Sequence, residues 1–207
     1  MNNLEKINKT IQSLKNNNMN GYYVENKEEL FSTIKSLVVE NSLVAFGGSQ
    51  TLKNLGVLDF LREGNYDLLD RYKDGLSKED IKNLYRKAFT ADVYFSSSNA
   101  ITEDGYLYNV DKLGNRVSAM IYGPDKVIII CGVNKIVKNV QEAIERNRSI
   151  SAPLNAVRLN TNTPCKTTGH CTDCNSPDKL CCDFTLIKSQ MFSDRIHVIF
   201  LNDNLGY

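Results

Sequence analysis

The chain has 207 residues, 42% of them hydrophobic and 24% charged, with a formal net charge of +1. That size can bury a core, and the composition is ordinary for a globular protein. The near-neutral balance gives no footing for nucleic acid or an anionic membrane as a partner, and no apolar run approaches the ~20 residues that span a bilayer. The opening Met1-Asn2-Asn3-Leu4-Glu5-Lys6 lacks the apolar stretch of a signal peptide, so a cytoplasmic location is expected. In that compartment the six cysteines read as ligands or thiols rather than disulfides.

Leu4, Ile7, Ile11 and Leu14 recur at helical spacing and predict an amphipathic first helix within residues 1–20. Gly21 to Val24 predicts a strand, and Asn26 caps a helix whose inner face is Leu30, Ile34 and Leu37. Ser42 to Phe46 is a short buried strand, followed by Gly47-Gly48-Ser49-Gln50-Thr51 and a helix running from Ser49 or Gln50 towards Leu61. Asp67-Leu68-Leu69 is another strand, and Ser77 with Asp80 opens a helix through Ile81 and Leu84 as a capping box.

The central stretch runs from Ala91 to Gly132. Apolar Ala91 to Phe95 breaks at Ser96-Ser97-Ser98, passes through Asn99 to Gly105, and closes on the strand-like Lys126 to Gly132. Asp104-Gly105 is a hairpin signal, because glycine accepts positive φ cheaply. Asn134 is expected to open a helix carrying Ile136, Val137, Val140, Ala143 and Ile144 on one face. Leu154 to Leu159 reads as partly helical, 161–182 as a loop without apolar periodicity, and Arg195 to Leu201 as a last strand. Alternating short strands and helices predict an α/β fold: one domain, 1–207, with a mostly parallel sheet flanked by helices and a cysteine-rich loop near the carboxyl terminus.

Two polar segments are candidates for a ligand crevice at strand ends. The Gly47 to Thr51 turn lets an anion approach the backbone and adds the Ser49 and Thr51 hydroxyls; a tight turn with a serine cap is the plainer reading. Ser96 to Asn99, Thr102, Asn109, Asn115 and Arg116 can converge on one crevice mouth and suit a polyhydroxy, carboxylate or phosphate ligand, or can simply satisfy turn backbone. Glu103 and Asp104 are the nearest candidates for a general acid or base.

The strongest chemical signal is Cys165-x5-Cys171-x2-Cys174-x6-Cys181, with Cys182 next to the last. Four thiols at short spacing can enclose one soft metal or a cluster, and a structural zinc is worth on the order of 10 kcal/mol to a segment that buries little apolar surface. Both zinc and a 4Fe–4S cluster accept four thiolates, so the ligands alone leave both open. Cys131 reads as a core thiol, and His170 and His197 as non-catalytic.

Gly47-Gly48-Ser49-x-Thr51, Ser97-Ser98-Asn99-Ala100-Ile101-Thr102-x-Asp104-Gly105, Gly114-Asn115-Arg116-Val117 and Ala152-Pro153-x-Asn155-Ala156 together resemble the LUD-domain family of lactate-utilisation proteins. The likeness covers nearly everything after the first helix. It implies a fold similar to the ribose-5-phosphate isomerase and coenzyme A transferase group, with the Gly47 turn and the Ser96–Thr102 loop facing one pocket. Some family members act with iron–sulfur partner proteins in oxidising lactate to pyruvate. The Cys165 to Cys181 segment departs from the lactate-utilisation protein C type and is similar to a cysteine-bearing branch. The resulting expectation is an oxidoreductase component with a 4Fe–4S cluster, zinc being the alternative, a small anionic metabolite, a redox partner protein and a homodimer. The other expectation kept open is a non-redox isomerase- or transferase-like enzyme, or a non-catalytic metabolite sensor.

Overall fold

The computed structural model describes residues 2–207. Helix α1 (Asn3–Asn16) opens on a capping box made by Asn2 and Glu5 and buries Ile7 and Leu14. There follow β1 (Asn20–Val24), α2 (Lys27–Leu37), which Asn26 caps, β2 (Leu43–Phe46), α3 (Gln50–Leu55), α4 (Val57–Glu63) and β3 (Asp67–Leu68). The single helix expected from Gln50 to Leu61 is two helices, because Gly56 sits at φ 74° and turns the chain between them. Helix α5 (Lys78–Lys87) starts at the Ser77/Asp80 box, and β4 (Val93–Ser96) leads into β5 (Ala100–Thr102) and β6 (Leu107–Asp111). Then come α6 (Asn115–Ile121), β7 (Lys126–Gly132), β8 (Ile136–Val137) and α7 (Val140–Arg146). A wider helical turn, Asn147–Ser151, joins α7 to α8 (Ala152–Arg158), and α9 (Cys165–Thr168), β9 (Asp183–Ile187) and β10 (Ile196–Leu201) complete the chain.

Six strands form one sheet in the order β1-β10-β7-β4-β2-β3, every pair parallel. The α/β class and mostly parallel sheet expected from the sequence are therefore correct. Strand alternation divides the core in two. Val44, Phe46, Val93, Phe95, Ile128 and Ile130 pack with Leu30 and Ile34 of α2 and Leu52, Leu55 and Leu61 of α3–α4. On the other face Ala45, Tyr94, Val127, Ile129 and Phe200 meet α1 and α6.

A second sheet, β8-β5-β6-β9, was not expected. Its β5–β6 pair is the antiparallel hairpin signalled by Asp104-Gly105, with Gly105 at φ 78°. Its inner face, Ile101, Leu107, Ile136 and Ile187, joins the α1 side of the core, while Tyr108 and Val137 pack against Ala143 of α7. The helix expected from Asn134 is corrected accordingly. Ile136-Val137 pairs in parallel with Ile101-Thr102, and the helix begins only after Asn139, whose side chain accepts from the Glu142 N–H. No helix among the described residues is long and apolar enough to cross a membrane.

Candidate functional site

The carboxyl ends of β2, β4 and β7 open onto a cleft of about 400 Å³. Its wall includes Gly48, Ser49 and Thr51 from the first turn, Ser97, Ser98 and Asn99 from the second, and Asn115 and Arg116 from the start of α6. Eight of the ten expected ligand-binding residues thus meet in one place. Gly47 sits behind this wall and borders a neighbouring groove instead. Thr102 is fully buried, with its Oγ1 accepting from the Tyr106 N–H at 3.0 Å, and does not line the cleft.

Many of these polar groups are occupied by the protein itself. Ser98 Oγ donates to the Ala100 carbonyl at 2.9 Å, and Asn99 Oδ1 accepts from Val110 N–H and from Arg116 Nη2. Arg116 is paired with Asp111 at 2.6 Å and also donates to the Ser97 carbonyl and to Asn109 Oδ1. It fastens the β4–β5 loop to α6, and Asp111 in turn accepts from the backbone N–H groups of Arg116 and Val117. Ser49 Oγ accepts from Leu52 N–H as the α3 cap.

Lys135 is different. It follows β7 and is 3% exposed, yet no carboxylate pairs with it among the described residues. Its Nζ donates to Thr51 Oγ1 at 2.9 Å and Ser97 Oγ at 3.0 Å, at the cleft floor. Burial pushes its pKa down to about 8; Arg146 and Arg116 act in the same direction, and Cys131 opposes them. Arg71 and Arg158 also line the cleft, with no carboxylate partner among the described residues. A cleft with surplus fixed positive charge has the chemistry to hold an anion.

Glu103 and Asp104 do not border this cleft. They lie on the β5–β6 turn against α1, where Glu103 pairs with Lys9 at 2.6 Å and the Asp104 carbonyl accepts from Asn17 Nδ2.

Cys165, Cys171, Cys174 and Cys181 all line one small cavity of about 70 Å³, together with Asn147, Thr163 and Leu180. The loop is held in place by Arg148, which forks onto Asp173 and whose carbonyl accepts from the Cys171 N–H at 2.8 Å. Burial, then the neighbouring Cys171, pushes the Cys181 thiol up to about 11. Cys182 and His170 are exposed and outside the cavity; Cys131 is buried beneath the cleft with Sγ 3.4 Å from Ser97 Oγ. Among the described residues no group of three or more His, Cys, Asp or Glu side chains is arranged to hold a single metal ion. The donor set nevertheless suits a thiophilic centre: four thiols, one acid, Asp173, that Arg148 already holds, and a buried Tyr108 hydroxyl without a partner among the described residues and close enough to feel Cys181. Leu180 lines both this cavity and the cleft.

The model of the LUD domain matches residues 7–201. The chain belongs to the LUD-domain family. A crystal structure of a DUF162 family protein from Deinococcus radiodurans is similar in fold, with a TM-score of 0.56 at 15% identity, covering 97% of this chain and 99% of that one. None of the curated proteins matches it.

Sequence reasoning missed Lys135, Arg71 and Arg158 in this LUD domain. Lys135 had one usable signal, lying with Asn134 between the apolar stretches Val127 to Val133 and Ile136-Val137. Arg71 and Arg158 reach the cleft only through tertiary structure, and no local pattern distinguishes them from solvated charges.

Proposed function

We propose that this LUD-domain protein binds a small anionic metabolite of the hydroxy-acid class, lactate or a relative, in the cationic cleft. In the same reading Cys165, Cys171, Cys174 and Cys181 hold a 4Fe–4S cluster, and the chain works as an oxidoreductase component with a redox partner protein. The observation that carries the proposal is the wall the two sites have in common, Leu180, which puts the anion cleft and the four thiols within one residue of each other.

The chain's own groups divide the work. Lys135 supplies a buried ammonium for a carboxylate, held by Thr51 and Ser97. Arg116 keeps Ser97 and Asn99 in position rather than offering a free donor. Asn147 lines the cavity beside Cys181 and favours its thiolate, and Tyr108 keeps an unused hydroxyl nearby. A cluster bound there would supply one-electron transfer. Four thiolates around a single zinc, at ~2.3 Å from the metal, stand about 3.8 Å from one another. The four sulfurs line one cavity here without forming a single-ion site, and iron, sulfide and zinc analysis decides between cluster and zinc.

A non-redox isomerase using Glu103 or Asp104 finds no support in the geometry, since neither borders the cleft. Anaerobic purification with metal and sulfide analysis tests the proposal. Iron with acid-labile sulfide is expected; a colourless protein with stoichiometric zinc would eliminate the cluster.

A further inference from the structure

We infer that the cleft's ligand carries at least two negative charges, one of them a phosphate-like group: a phosphorylated hydroxy acid rather than a simple monocarboxylate. This rests on the anion-binding reading above and narrows it.

Charge points to a second anionic group. Arg71, Lys112, Arg116, Lys135 and Arg158 line the cleft, against the single acid Asp111, which is already paired with Arg116. One carboxylate from a ligand offsets one of the remaining cations. Lys112 and Arg158 are exposed to solvent, but with Lys135 satisfied the partly buried Arg71 would stay uncompensated in a partly enclosed site, where charges interact more strongly than in water.

Arg71 is held to suit such a group. Its guanidinium lies over the rings of Tyr72 and Tyr85, 5.3 and 4.9 Å from their centroids. Stacking fixes the plane of the group without consuming its N–H donors, so a planar fork is left for an oxyanion. Lys135 at the floor suits a carboxylate; Arg71 is a second and separate anchor.

Gly48 leaves room for that group. Its φ lies outside the left-handed region, so backbone conformation does not demand glycine there. A Cβ at that position would stand 3.5 Å from Arg71 Nη1 and from the Tyr72 hydroxyl, an ordinary contact the folded chain would tolerate. What the missing methyl leaves is open space between the backbone and the Arg71 fork, where a ligand oxygen can reach both. The volume agrees: about 400 Å³ lies within the ~300–1,000 Å³ of sites for sizeable ligands and exceeds what lactate alone fills.

The test is calorimetric titration of the anaerobically purified full chain with 3-phospho-D-glycerate and with L-lactate, at low and at high salt. The phosphorylated acid should bind at least about thirtyfold more tightly at low salt, the scale of one added charge-assisted contact, and lose more affinity on adding salt. Arg71→Gln should bring the ratio between the two ligands below about threefold. Gly48→Ala should keep the wild-type thermal midpoint while weakening 3-phospho-D-glycerate at least about tenfold. Equal affinities for the two acids, or a ratio that survives Arg71→Gln, would overturn this inference and leave the anion cleft standing. Binding of neither acid would overturn the anion reading itself, and this inference with it.

Discussion

Lys135→Met separates stability from binding. The folded protein lowers the Lys135 pKa from the ordinary lysine value of 10.5 to about 8, chiefly through burial. At ~1.4 kcal/mol per pH unit, keeping this ammonium charged at neutral pH costs the free protein on the order of 3 kcal/mol. Methionine keeps the apolar stem and removes the charge. It also removes two hydrogen bonds worth about 1 kcal/mol each, although Thr51 Oγ1 still donates to the Leu205 carbonyl and Ser97 Oγ keeps Cys131 Sγ. The net expectation is a gain on the order of 1 kcal/mol, a rise of about 2–4 °C in thermal midpoint for a chain of this size. Thermal unfolding at neutral pH reads the gain, and titration with 3-phospho-D-glycerate or L-lactate reads the loss of affinity. A variant that is clearly less stable, or that binds anions as the wild type does, would refute the reasoning.

Anion affinity should be level below pH 8 and fall by up to tenfold per pH unit above it, because Lys135, faced by Cys131, Arg116 and Arg146, then loses its proton. The sign for stability is opposite: the unfolded chain keeps that proton to about pH 10.5, so the free protein gains stability between pH 8 and 10.5, and denaturant midpoints across that range check it. Asp111→Asn should cost about 3 kcal/mol in urea unfolding, since it strands the buried Arg116 charge and weakens the acceptor for two α6 N–H groups. Gly105→Ala should cost about 2–3 kcal/mol, because φ is 78° and the new Cβ would lie 2.7 Å from the Leu14 nitrogen; a loss below ~1 kcal/mol would show that the β5–β6 turn moves off α1.

The parallel sheet was legible because buried strands carry apolar runs such as Val127 to Cys131 and Val198 to Leu201. Helix starts were legible through side-chain caps at Asn26 and Ser77. The second sheet was not. Strand β8 has two residues, and β9 exposes Phe184 and Leu186 at a sheet edge, so neither carries a usable period. Asn134 looked like a helix cap because Val140, Ala143 and Ile144 follow at helical spacing. The cap is Asn139, and Ile136-Val137 is drawn into pairing with β5.

The candidate site divides the same way. Turn residues at strand ends were found because Gly, Ser and Asn cluster where an α/β crevice must open, and the four cysteines because thiols at that spacing have few other uses. Glu103 was chosen for nearness in sequence to Asn99, but the β5–β6 hairpin carries it off towards Lys9 of α1. Lys135 was passed over because a lysine next to an asparagine after a strand reads as solvated. Only the sheet's geometry shows that it is enclosed.

The claim that an anion cleft and a thiol-bound cluster share one wall is tested most directly by electron paramagnetic resonance of the reduced, anaerobically purified protein, with and without a ligand acid. An iron–sulfur signal is expected whose shape changes when 3-phospho-D-glycerate or L-lactate fills the cleft. A signal that no anion alters, or a protein that contains no iron after anaerobic purification, would contradict it.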